Sequence, residues 1–166
     1  MSAIHAFAET IANPIDVVEQ IAAGHNWTID RCADDELHMV VGGSFTDLHI
    51  CLNWREDLEA LHLACTFDLK VPQRRHEEVG RLLNLINEHL YLGHFDLWRS
   101  DGTLLFRNGL ILSGGAVAAD SQCETLIKLA LQACDRYFPA FQYVIWAGKG
   151  AEEAIQSSLM ETAGEA

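Results

Sequence analysis

The feature that most constrains this chain is a change of hydrophobic period. Over residues 37–69 apolar side chains fall on every second position: Leu37, Met39 and Val41, then Leu48, Ile50, Leu52 and Trp54, then Leu61, Leu63, Cys65, Phe67 and Leu69. Period two is the mark of strands with one buried face. Asp34-Asp35, Gly42-Gly43 and Arg55-Glu56-Asp57 interrupt the alternation where turns are needed. The segment therefore reads as an antiparallel meander of three or four strands, one face inward.

Helical spacing flanks this segment. Asn13-Pro14 opens a first helix, with Asn as N-cap, Pro at the first position and Asp16 at the positive helix end. Ile15, Val18, Ile21 and Ala22 form its apolar stripe, and Gly24 stops it. Pro72 marks a second helix carrying Val79, Leu82, Leu83, Ile86 and Leu90 on one face. Strands at His94–Trp98 and Thr103–Ile111 follow, joined by Ser100-Asp101-Gly102, since Asp-Gly tolerates the positive φ of a hairpin turn. Asn108-Gly109 suggests a bulge or an early end of the second of these strands. Ser121-Gln122-Cys123-Glu124 has the form of a capping box and opens a third helix, expected to end near Tyr137 before Pro139. Phe141–Trp146 is ambiguous between strand and helix, with the flanking Pro139 and Gly148 favouring helix, and an amphipathic turn or two around Ile155 and Leu159 closes the chain.

The order is α-βββ(β)-α-ββ-α. That makes the fold α+β, an antiparallel sheet flanked by helices, rather than a parallel βαβ series. Residues 1–12 read as an arm, 13–160 as a single domain and 161–166 as a frayed tail.

Charge excludes one class of partner. The formal net charge is −13, which repels phosphate backbones and argues against nucleic acid. Residues 1–69 carry 12 acidic side chains against 2 basic ones, so the first half holds most of the field. The start of the sequence has neither a basic n-region nor a long apolar run, and no stretch is long enough for a membrane span. A cytoplasmic protein with no membrane association is expected. Five cysteines without a C-x-x-C pair fit reduced thiols in such a compartment.

No motif for catalysis or cofactor binding is present. Ser113-Gly114-Gly115-Ala116 and Gly148-Lys149-Gly150 match neither phosphate-loop pattern. There is no H-E-x-x-H and no G-x-S-x-G. The acidic turns Asp34-Asp35-Glu36 and Glu56-Asp57-Glu59 read as solvated faces. Two places could still carry chemistry. His38, His49 and His62 all fall on the non-core side of the meander and could gather a zinc ion, against the simpler reading of solvent-facing strand histidines. Cys123 lies in the first turn of its helix, where the dipole lowers a thiol pKa, but its spacing from Cys134 puts both beside the apolar stripe. The chain is not expected to be an enzyme or to hold a cofactor.

Binding is the function left. Arg74 and Arg75 fall in the first turn of the second helix, with Arg81 following, where cations oppose the helix dipole and need compensation from an internal acidic turn or a partner. Leu85 and Leu92 widen the apolar face of the same helix beyond its core stripe, a flank suited to a homodimer. Arg74, Arg75, Arg81, Leu85 and Leu92 are thus the candidate interaction surface. Trp54, Trp98 and Trp146 join it only where exposed, core packing being the alternative.

A series of short motifs resembles one family. Asp35-Glu36-Leu37-His38, Asn53-Trp54-Arg55-Glu56, Phe67-Asp68-Leu69-Lys70-Val71-Pro72, Leu85-Ile86-Asn87-Glu88 and Leu92-Gly93-His94-Phe95-Asp96-Leu97-Trp98 look like the YbjN-domain proteins of bacteria. Phe106-Arg107, Phe138-Pro139-Ala140-Phe141-Gln142 and Trp146-Ala147-Gly148-Lys149 continue the match across roughly 14–160. The resemblance implies an α+β fold similar to type III secretion chaperones, which are small, acidic, usually dimeric proteins that hold segments of other proteins. It also implies a sensory-transduction regulator with no catalytic residues to carry over. The expected function is therefore a non-catalytic regulatory or chaperone-like protein, in bacterial signalling or stress response, that binds another polypeptide. A small-molecule or metal-sensing domain is the alternative.

Overall fold

The alternating segment becomes three consecutive strands of a six-stranded antiparallel sheet, with one further strand before them. The structure, a computed structural model, describes residues 12–163. The expected arm lies outside those residues except for its last position, and so does the end of the tail. In chain order the elements are α1 (Pro14–Gly24), β1 (Thr28–Ala33), β2 (Glu36–Gly42), β3 (Asp47–Arg55), β4 (Ala60–Lys70), α2 (His76–Asn87), β5 (His94–Trp98), β6 (Thr103–Ile111), α3 (Asp120–Ile145) and α4 (Ala151–Ala163). The strand order across the sheet is β1-β2-β3-β4-β6-β5. The later hairpin therefore adds to the meander through β6, and the α+β class expected from the sequence, an antiparallel sheet flanked by helices, is the one observed.

Parity divides the sheet into two faces. Leu37, Met39, Leu48, Ile50, Leu52, Leu61, Leu63, Cys65 and Phe106 are all buried and join one core with the inward residues of the four helices. Each buried Leu or Ile of this kind contributes about 1.5–3 kcal/mol, so the twelve-position alternation alone locks the register. The other face carries His38, His49, Cys51, His62, His94, Asp96 and Arg107.

Helix α1 starts as its cap residues dictate. Asn13 Oδ1 accepts from the Ile15 N–H at 2.9 Å, and the Asn13 amide donates to Asp34 O in the β1–β2 turn. Arg31 then joins α1 to β1 through Asp16 at 2.7 Å and Glu19 at 2.8 Å.

Several boundaries differ from the sequence reading. Helix α3 does not stop before Pro139 but runs through it to Ile145. An interior proline costs about 3 kcal/mol, and the burial of Phe138, Ala140, Phe141, Val144 and Ile145 beyond it offsets that cost. The helix also begins at Asp120, not at a Ser121 box. Ala119 has no side-chain acceptor, so only the return half forms, with Gln122 Oε1 accepting from the Ala119 N–H at 2.9 Å. Asn108-Gly109 makes no bulge; β6 pairs regularly with β4 from Leu105 to Ile111, and the irregularity falls between Thr66 and Lys70 of β4. The last helix is 13 residues long instead of a turn or two, because Ala151, Ala154 and Ile155 pack into the core.

Candidate functional site

An antiparallel sheet has two edges, and each unpaired edge is a row of free N–H and C=O groups. On β1 the edge is blunted. Asp30 and Arg31 put charges along it, and the pairing with β2 slips between Arg31 and Ala33, leaving Cys32 as the extra residue of a bulge. On β5 the edge is capped by a side chain. Asn87, at the end of α2, accepts from the Phe95 N–H at 2.8 Å and donates to Phe95 O at 3.1 Å, taking the place of a neighbouring strand.

A third stretch of edge has no such cover. Strand β5 is 5 residues long and β6 is 9, and their pairing ends at His94↔Arg107. Residues 108–111 of β6 therefore continue past the end of β5, paired on the β4 side only. Backbone direction alternates along a strand. The Leu112 N–H reaches Glu59 O on the β4 side, so the odd residues Gly109 and Ile111 present their N–H and C=O to the edge that β5 has left. The Gly109 N–H is held only by the neighbouring Asn108 Oδ1 at 2.8 Å. No charged residue lies in Asn108-Gly109-Leu110-Ile111, and Ile111 is 75% exposed.

Hollows flank this overhang on both faces. On the helix side a cleft of about 420 Å³ runs between β6 and the first half of α3, floored by Leu92, Leu110, Leu126 and Leu129 and rimmed by Asn108, Gln122 and Thr125. It continues past Leu92 and Leu129 into a second hollow of about 300 Å³ bounded by Tyr91, Arg136 and Tyr137. Among the described residues the buried Tyr137 hydroxyl has no hydrogen-bond partner, and the desolvation of such a group costs about 1–3 kcal/mol. On the opposite face a hollow of about 360 Å³ is lined by His62, Gly93, His94, Arg107, Asn108 and Gly109. Gly93 is required at this junction: its φ is +74°, and a Cβ there would run into the Phe106 ring.

The hollow on the opposite face is cationic in an otherwise acidic protein. Arg107 donates through Nε to His62 Nε2 at 3.2 Å and pairs with Asp96 at 3.3 Å. Accepting from a guanidinium requires His62 Nε2 to be unprotonated. Burial first, then the charges of Arg107 and His94, hold the His62 pKa below the ordinary imidazole value.

The residues singled out from sequence are dispersed. Leu92 is 54% exposed and sits at the junction of the two helix-side hollows. Leu85 is half-buried against the core. Arg74 and Arg75 precede α2 in a short 3-10 turn. Arg75 turns inward and donates to Val144 O at 2.8 Å and Lys149 O at 3.0 Å, at the negative end of α3. Glu78, one turn on, accepts from the Ala151 N–H at 2.7 Å at the positive end of α4 and pairs with Arg81. Compensation for these cations is thus internal, through the α3–α4 junction; the acidic turn Glu56-Asp57-Glu59 takes no part, Asp57 being held by Arg55. Arg74 is exposed.

The three histidines share a face but do not converge. His38 lies opposite Cys51, His49 opposite Thr66 and His62 opposite Asn53 and Gly109. At about 3.3 Å per residue, His62 is roughly 13 Å along the strand from the position beside His49. His38 instead has its Nε2 2.6 Å from Glu36 Oε1, and Cys32, Glu36 and His38 bring potential ligand atoms within 4.8 Å of one another. Cys123 is fully buried, and burial, then Asp120, pushes its thiol up to about 11, which outweighs the helix dipole. Of the tryptophans, Trp54 is in the core, while Trp98 and Trp146 are exposed. Among the described residues no helix is long and apolar enough to cross a membrane.

Known structures share this architecture. The chain is similar to the protein in the crystal structure of the ExsC–ExsE complex, with a TM-score of 0.52 at 15% identity over 73% of this chain and 90% of that one. It is similar also to YbjN from E. coli, described as "a putative transcription regulator", with a TM-score of 0.54 at 11% identity over 76% and 90% of the two chains. A search of curated proteins returns no match. The sequence profile of the YbjN family, "Putative bacterial sensory transduction regulator", matches residues 14–143. The chain belongs to the YbjN family.

Proposed function

We propose that the protein is a regulatory, chaperone-like binding protein whose partner adds an extended strand to β6 at residues 108–111. The observation that carries this reading is the overhang itself: a stretch of sheet edge that no strand pairs, flanked on both faces by hollows. Strand addition draws affinity from the main chain and specificity from alternate side chains. One set of partner residues would point into the cleft of Leu92, Leu110, Leu126 and Leu129, and these are apolar. The other set would face Arg107 and His94, where a carboxylate fits. The partner is thus an extended segment alternating apolar with acidic residues. The likeness to a chain seen in complex with ExsE is consistent with holding another polypeptide. A signalling process is the part of this reading that the family description supports; the cytoplasmic setting rests on the sequence reading above.

A displayed library of alternating ten-residue peptides, titrated against the purified chain, tests it. Binders should be enriched in apolar–acidic alternation, and Ile111→Pro, which removes one edge N–H without touching the β4 ladder, should weaken them about fivefold, the worth of one hydrogen bond of about 1 kcal/mol. Binders indifferent to Ile111→Pro and to Leu129→Asp would place docking elsewhere. A dimer in light scattering that Ile111→Pro dissociates would make a second copy of this chain the occupant.

A further inference from the structure

We propose that Asp30, Cys32, Glu36 and His38 form a binding site for a zinc-like divalent transition metal. This site lies at the other end of the sheet from the overhang and is independent of it. Its geometry comes from the bulge in β1. The extra residue, Cys32, and Ala33 together oppose Glu36, so the Cys32 side chain stands beside those of Glu36 and His38. Bulges re-aim side chains in this way. Asp30 is the direct cross-strand partner of His38, and its Oδ2 lies 3.8 Å from Cys32 Sγ.

The donor set is chemically selective. One thiol, one imidazole and two carboxylates suit zinc and its neighbours, whereas magnesium and calcium prefer oxygen alone. A tetrahedral zinc with bonds of roughly 2.0–2.3 Å holds its ligand atoms about 3.3–3.8 Å apart. The Sγ, Oε and Nε2 atoms of Cys32, Glu36 and His38 already lie within 4.8 Å of one another, so the closure required is about an ångström of rotation in exposed side chains. The 2.6 Å contact between His38 and Glu36 would open to admit the ion. The Asp30 and Glu36 carboxylates beside the thiol attract a cation.

Metal binding must displace the thiol proton. Affinity should therefore increase with pH. Cys51, the cross-strand neighbour of His38, faces the same side of the sheet.

Cobalt(II) titration of the chelator-treated, fully reduced chain tests the site. The expected result is a saturable one-to-one thiolate-to-cobalt charge-transfer band that one equivalent of zinc discharges and magnesium does not. Cys32→Ser should abolish the band, and His38→Gln should weaken cobalt binding by on the order of a hundredfold, at least the loss typical of a supporting residue. Cys51→Ser should leave the band in place. No band, a band that survives Cys32→Ser, or one that requires Cys51 instead would overturn the proposal.

Discussion

The two ends of the sheet solve the problem of an exposed edge in opposite ways. At β1 the edge is charged and bulged, and Arg31 ties it to Asp16 and Glu19 of α1. At β6 the four residues Asn108–Ile111 lack charge, bulge and neighbour, although Asn87 closes the edge of β5 immediately beside them. Natural sheets guard their edges against unwanted pairing. The proposed docking rests on this contrast: two edges are guarded, and a third stretch beside an apolar cleft is open. The contrast also separates chemistry: polar donor atoms gather at the β1 end, apolar surface at the β6 end.

The largest expected effect breaks this contrast by crossing variants between the ends. Leu129→Asp should reduce peptide binding by on the order of a hundredfold, as for a buried hot spot of 2–3 kcal/mol, and leave cobalt binding unchanged. Cys32→Ser should do the reverse. Either variant affecting both measurements would mean that the two ends are not separate sites.

A second prediction sharpens the distinction between docking and scaffolding on α2. Arg75→Ala should lower unfolding free energy in urea by about 2 kcal/mol, because two carbonyls at the end of α3 lose a charge-assisted donor. Peptide affinity of the folded variant should not change. Arg74→Ala, by contrast, should be nearly neutral in stability.

The smallest effect belongs to the cationic hollow. His62 has a folded pKa below its unfolded value, so the unfolded chain binds more protons in that window. Stability should therefore fall as pH drops from the ordinary imidazole range through the lowered value, and the loss should be complete below it. The facing groups are Arg107 and His94, with Asp96 beyond Arg107. His62→Gln should flatten that part of the thermal-stability profile between pH 7.5 and 5; an unchanged slope would assign it to other groups.

Much of the scaffold was legible in the sequence because parity is local. The alternation from Leu37 to Leu69 gave the strands and their inward residues, and Ser100-Asp101-Gly102 gave the hairpin with both strand ranges. The docking site was legible only in its parts. The unequal lengths of β5 and β6 could be read, but an overhang becomes an edge only once β4 is known to hold the other side of β6. That pairing joins residues far apart in sequence. Leu92 was found by carrying the helical count of α2 onward, although the helix itself ends at Asn87. Leu126 and Leu129 were not, since their stripe looks the same whether it meets a sheet or a cleft. The histidines show the same limit: parity put His38, His49 and His62 on one face, and register then separated them and gave His38 to Cys32 and Glu36. Pro139 misled because the rule that proline ends helices ignores the core waiting beyond it.

The most direct test of the docking claim is amide hydrogen exchange at Gly109 and Ile111, resolved by NMR, in the free chain and with a saturating alternating peptide. Strand addition predicts that Ile111 exchanges fast in the free protein and that Gly109, held there by the Asn108 side chain, exchanges faster than Leu110. Both become strongly protected in the complex, while Leu110, already bonded toward β4, changes little. Protection that leaves Gly109 and Ile111 as fast as before, with the peptide bound, would contradict it.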